Sequence, residues 1–188
     1  AHLFWPSSSA PFGYGGAVGG VVLAPRLRRS ISAAVPRIAR AFGLRGLAGI
    51  DFVLDAAGDW WLIEINARPT ATVELLTSPA AAWRAHVAAC RGEPWRAARP
   101  RRRPRAQAVV LADDPIRVAN SLDWPAWVVD RPDAGARLPR GAPLCSVWAD
   151  GDSTADACAQ LARRIRRLRR MLGSDARTVP SLRQPSIP

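Results

Sequence analysis

The residues best suited to chemistry in this chain are two carboxylates and a carboxamide: Asp51, Glu64 and Asn66, within GLAGIDFVLDAAGDWWLIEINARPT (46–70). All three present oxygen. Carboxylates held close together repel at neutral pH, and a cation between them relieves the repulsion. A hard divalent ion suits an all-oxygen set, and Mg²⁺ commonly takes one or two carboxylates and fills its remaining positions with water and substrate phosphates. The bland alternative is the solvent-facing polar side of an ordinary hairpin. The pattern alone carries the two readings about equally.

Two strands must position these groups. Ile50, Phe52 and Leu54 alternate on one arm, Trp61, Ile63 and Ile65 on the other, with Ala56-Ala57-Gly58-Asp59 as a tight turn. Pairing Asp55 with Trp60 lays Asp51 directly across from Glu64. The pleat then puts Val53, Leu62 and Asn66 on the side of that pair.

An Asp on one strand with Glu-x-Asn on the next resembles the final catalytic hairpin of the ATP-grasp superfamily, and the spacing of Asp51 and Glu64 resembles its ligase members. Arg68-Pro69 resembles the Asn-Pro-Arg ending common there, with Ala67 in the Pro position. The wording EINARPTATVELL and the segment around Trp124-Pro125 resemble a narrower branch, linked to methanopterin-type cofactor pathways in methylotrophs and archaea.

The resemblance implies an α+β fold: the C-terminal lobe of an ATP-grasp fold, an antiparallel sheet with packed helices, plus a small β subdomain and a C-terminal helix. It implies an ATP-dependent carboxylate–amine ligase with ATP and Mg²⁺ (or Mn²⁺) as cofactors and small-molecule carboxylate and amine substrates. Asp51, Glu64 and Asn66 would be metal ligands, Glu64 and Asn66 with Tyr14 would contact the nucleotide, and Arg68 would be catalytic. Tyr14-Gly15-Gly16 resembles a Tyr-x-Gly element near the substrate side in that branch. Superfamily members also hold nucleotide against an upstream lobe with phosphate-binding lysines, and this chain contains no Lys. The chain is therefore expected to be a fragment that turns over little by itself.

Composition bounds the rest. At 188 residues and 48% hydrophobic, the chain can bury a real core. No apolar run is long enough for a membrane helix and no signal peptide opens the sequence, so the expected compartment is the cytoplasm. Every one of the 27 basic residues is Arg, and with abundant Ala, Gly and Pro this suggests codon bias. The net charge of +12 is then a weak sign of nucleic acid. A basic nucleic-acid-binding module and a catalytically silent ATP-grasp scaffold stay open as rival readings, and an oligomer is compatible with the sequence. Cys90, Cys145 and Cys158 lack a C-x-x-C pair and read as reduced core thiols.

Along the chain, a glycine-rich loop is expected over 10–20, and a helix over about 26–42 with Pro36 either kinking it or starting a second one. Ser78, Pro79 and Gly92 bound a helix over about 79–91 that carries Trp83, read as core, and His86, read as a packed or surface residue. Six Arg and three Pro in EPWRAARPRRRPRA make 93–106 an exposed linker. AVVLA, WPAWVVD and APLCSVWAD read as strands, and 153–172 as a basic amphipathic helix with an apolar stripe of Leu161, Ile165, Leu168 and Leu172. The expected division is a catalytic lobe (1–92), the linker (93–106), a β subdomain with the last helix (107–172) and a tail (173–188).

Overall fold

The computed structural model describes the backbone of residues 2–7, 10–120 and 122–173, with side chains described from Tyr14 onward. The chain is α+β with antiparallel sheets, and its contacts divide it into two compact units. Residues 22–101 form one. Residues 2–21 and 102–173 belong to the other, so the division departs from a linear partition of the sequence. Of the expected tail, all but Gly173 lies outside the described residues.

The second unit is a five-stranded antiparallel sheet, in the order β1 (His2–Ser7), β2 (Ala10–Gly19), β5 (Arg105–Leu111), β9 (Pro143–Asp150), β7 (Val128–Val129). Strands β6 (Ile116–Arg117) and β8 (Arg137–Leu138) pair beside it. The expected glycine-rich loop is thus a strand. Small residues permit it: Ala17 is fully buried, and Gly16 and Val18 pair with Ala108 and Ala106 of β5. The alternate residues Ala106, Ala108 and Val110 of β5 and Cys145, Val147 and Ala149 of β9 make one buried face. Helix α4 (Thr154–Met171) packs there through Ala157, Leu161, Ile165 and Leu168. Ser153 caps α4 by accepting from the Asp156 amide, and the Asp156 carboxylate accepts in turn from the Asp152 amide. Cys145 and Cys158 are core thiols as expected, and burial pushes Cys145 up to about 12. Cys90, in the other unit, is exposed instead.

The first unit comprises α1 (Pro25–Ala41), the hairpin β3 (Gly49–Leu54) and β4 (Trp60–Asn66), α2 (Val73–Leu76) and α3 (Pro79–Arg91). Pro36 sits inside one continuous α1. That helix is tied to the hairpin through Ser30 Oγ, which accepts from Trp60 Nε1 at 2.9 Å, and its Leu27 is buried. Trp83 is 59% exposed rather than core, because it stands on the outer side of α3. His86 is half-buried, and its Nδ1 accepts from the Leu47 amide at 2.9 Å, tying α3 to the segment that enters β3. The Arg/Pro segment is pinned in part: Arg101 donates its amide to Leu76 O and its Nε to Glu74 O, and Pro100 bridges Thr77.

Candidate active site

The hairpin places Asp51 opposite Glu64, as its sequence predicts, but by a different path. Asp55 closes on Asp59 through their backbones, and Leu54, not Asp55, pairs with Trp60. The turn is tighter because Gly58 takes φ +80°, a left-handed conformation that costs glycine little. Asp55 anchors it: Oδ1 accepts from the amides of Ala57 and Asp59, and Oδ2 from Trp61 Nε1. The Trp61 indole, followed by the Asp59 amide, holds the Asp55 carboxyl below its ordinary value of 3.8. A β-bulge between Asp51 and Phe52 then inserts one unpaired residue, Ile63, on β4, which restores the opposition of Asp51 and Glu64.

The bulge alters the neighbours. Val53 pairs with Trp61, and Leu62 pairs with Phe52. By the pleat, Trp61 joins the side of the carboxylates and Leu62 leaves it, a correction to the expected face. Val53, Trp61 and Ile63 are 51%, 61% and 65% exposed, so the carboxylates sit beside an open apolar surface.

Asp51 and Asn66 are half-buried and Glu64 is exposed. Asn66 Nδ2 donates toward Asp51 Oδ2 at 3.5 Å, which turns the amide nitrogen toward Asp51 and leaves the acceptor oxygen Oδ1 available. None of the ion pairs among the described residues involves Asp51 or Glu64. Opposed carboxylates with no cation from the protein are the donor set that a hard divalent ion completes. Among the described residues no group of three or more His, Cys, Asp or Glu is placed to hold a metal.

Arg68 is exposed, and its Nη1 donates to Pro69 O at 3.4 Å. No hydrogen bond or ion pair joins it to the three oxygen donors. Tyr14 lies on β2 of the other unit, 42% exposed, and desolvation raises its phenol to about 12, so it remains a donor at neutral pH. The sequence reading missed how the strand start is held. Thr72 is buried, and Thr70 and Thr72 share a hydroxyl hydrogen bond of 2.9 Å. Gly49, paired with Asn66, lies so close to Thr70 that an added Cβ would meet its methyl at 2.7 Å. The Thr-x-Thr after Arg68-Pro69 was the available signal.

The sequence profile of the ATP-grasp domain matches residues 4–72, which include the whole hairpin. No curated protein sequence matches the chain. Among solved structures, it is similar to N5-carboxyaminoimidazole ribonucleotide synthetase from Thermotoga maritima (TM-score 0.58, 12% identity, covering 79% of this chain and 44% of that one). It is similar to L-amino acid ligase from Bacillus licheniformis (TM-score 0.61, 17% identity, 83% and 44%). It also resembles the biotin carboxylase domain of 2-oxoglutarate carboxylase from Hydrogenobacter thermophilus, a structure in complex with MgADP, ADP and bicarbonate (TM-score 0.61, 13% identity, 84% and 38%). The fold is therefore of the ATP-grasp type. The chain spans less than half the length of each of these three proteins. Among the described residues no helix is long and apolar enough to cross a membrane.

Proposed function

We propose that β3–β4 is the metal- and phosphate-binding hairpin of an ATP-dependent ligase that joins a carboxylate to an amine. The observation that carries this reading is the opposition of Asp51 and Glu64 with the Asn66 amide turned onto Asp51. Asp51, Glu64 and Asn66 would hold Mg²⁺ or Mn²⁺. The bound metal supplies charge neutralisation on the β- and γ-phosphates of ATP. Arg68, with no carboxylate partner, is free to grip a planar oxyanion at two points, either the transferring phosphoryl group or the incoming carboxylate. Val53, Trp61 and Ile63 offer an apolar flank that would exclude water beside the site.

In the reaction, a substrate carboxylate oxygen attacks the γ-phosphorus and ADP leaves. The amine then attacks the acyl phosphate carbonyl, an amide bond forms and phosphate departs. Chemistry of this kind asks for alignment and electrostatic stabilisation more than covalent help from side chains. The EINARPTATVELL wording supports a glutamate-type or pterin-linked substrate, within the branch it resembles. Tyr14 is proposed as a contact on the substrate side. The division into a catalytic lobe over 1–92 and a β subdomain over 107–172 remains part of this proposal. The absence of Lys supports weak nucleotide affinity for this chain by itself.

Mn²⁺ titration followed by NMR tests the site without needing turnover. Paramagnetic broadening should strike the amides of residues 49–51 and 64–68 first, and Glu64→Gln should abolish it. Uniform broadening, or broadening that survives Glu64→Gln, would sink the assignment. In an active polypeptide carrying this chain, Asp51→Ala and Glu64→Gln should each cut ATP consumption by roughly 10²- to 10³-fold, the scale expected when a main electrostatic stabiliser is lost.

A further inference from the structure

The outward face of α4 is a comb of cations that the hairpin chemistry does not use. Arg163, Arg166, Arg167 and Arg170 are exposed and follow one another at helical spacings of three and four, opposite the buried stripe of Leu161, Ile165 and Leu168. They span about 10 Å of helix axis. Among the described residues only Arg163 has a carboxylate nearby, Asp156 at 3.9 Å. The flanking arginines are spent on the fold: Arg164 donates to Trp148 O and lies against the Trp127 and Trp148 rings, and Arg169 pairs with Asp113.

Like charges three and four residues apart weaken a helix, and this face gains no packing in return. Codon bias explains why the cations are Arg rather than Lys. It does not explain why the outward face of this helix holds no Asp or Glu between 163 and 170.

We propose that this face docks on the phosphate backbone of duplex nucleic acid. Guanidinium groups match phosphate oxygens in two-point geometry. Membrane insertion requires the apolar stripe, and that stripe is buried in the core. A protein partner would need several apolar or aromatic anchors, and besides its arginines α4 exposes only Ala155, Ala159 and, at its very end, Met171. Single strands are held largely by stacking on aromatic rings, which the face lacks. What remains is counter-ion release onto a regular array of phosphates.

Fluorescence anisotropy of a labelled duplex DNA of about 20 base pairs, titrated with the full chain, tests it. With four contacts the log–log salt slope should be about −3 to −4, a loss of roughly 100-fold in affinity between 50 and 200 mM salt. Replacing Arg163, Arg166, Arg167 and Arg170 together by Gln should remove most of the binding. Replacing Arg28, Arg29, Arg37 and Arg40 of α1 by Gln, an equal change in net charge, should leave most of it. Equal losses in the two variants, a flat salt response, or tighter binding to polyglutamate than to duplex would each overturn the proposal. Far-ultraviolet circular dichroism of both variants separates lost binding from a lost helix.

Discussion

The two units are built by different means. Of the twenty buried hydrophobic residues among those described, all but Leu27, Leu75 and Ala82 belong to the unit that holds the five-stranded sheet and its helix, so hydrophobic burial is concentrated there. The unit with the hairpin instead exposes Val53, Trp61, Leu62, Ile63 and Trp83, and its parts are joined by single polar ties: Trp60 to Ser30, Leu47 to His86, Thr77 to Arg99. The candidate site thus sits on the leaner unit. Segments with few buried contacts open at low free energy, and binding loops are drawn from that end of the range.

The most severe stability test is at the centre of the denser unit. Leu161 is fully buried, so Leu161→Ala should cost about 3–4 kcal/mol by lost transfer and cavity terms. Ile63→Ala, a truncation of similar size on a residue 65% exposed, should stay within about 0.5 kcal/mol. Native-state hydrogen exchange, read separately over 105–168 and 49–66, checks the pair. If Ile63→Ala proves as costly as Leu161→Ala, the contrast between the units is wrong.

A smaller effect is expected at the end of the inner strands β5 and β9 of the same sheet. Arg105 reaches Asp150 with two hydrogen bonds of 2.7 Å, and its guanidinium lies 3.8 Å from the centre of the Trp148 ring. Asp150→Asn should cost about 2 kcal/mol, since Arg105 is only 14% exposed and would lose its counter-charge. In the leaner unit, His86→Phe leaves the Leu47 amide without its acceptor and should cost about 1 kcal/mol. Its signature is local: faster exchange at Leu47, with no change across β5 and β9.

Legibility followed the range of the interactions. Helices α3 and α4 were readable to within a residue or two because Pro79 and Gly92 bound the first locally and the stripe of Leu161, Ile165 and Leu168 marks the second, although Ser78 makes no side-chain capping bond. The opposition of Asp51 and Glu64 was also legible, though two details offset each other: the turn is shorter than expected and a bulge returns the missing residue. Nothing in Ile63 itself marks a bulge. The pairing of β2 with β5 joins segments almost ninety residues apart, and a strand of Ala and Gly carries no alternation to announce it. Trp83 misled because helical spacing gives a face without saying which face is covered.

The subtlest test concerns the turn that sets the register. Asp55 accepts three hydrogen bonds, and these hold its carboxyl below 3.8. A depressed carboxylate contributes stability at pH above its unfolded value, and that contribution fades as pH falls through the folded value. The hairpin should therefore loosen below about pH 4 in the wild type, while Asp55→Asn, already unable to ionise, should show a flatter acid response. Because Asp55 is only partly buried, solvent screening keeps the effect small, and amide exchange at Ala57 and Asp59 will reveal it better than a global melt. A loosened turn frees the register of the three pairs that separate it from the bulge. Mn²⁺ affinity should then drop in Asp55→Asn at neutral pH even though Asp51, Glu64 and Asn66 are untouched. Unchanged Mn²⁺ affinity together with unchanged exchange would mean that the bulge, and not the turn, sets the spacing of the two carboxylates.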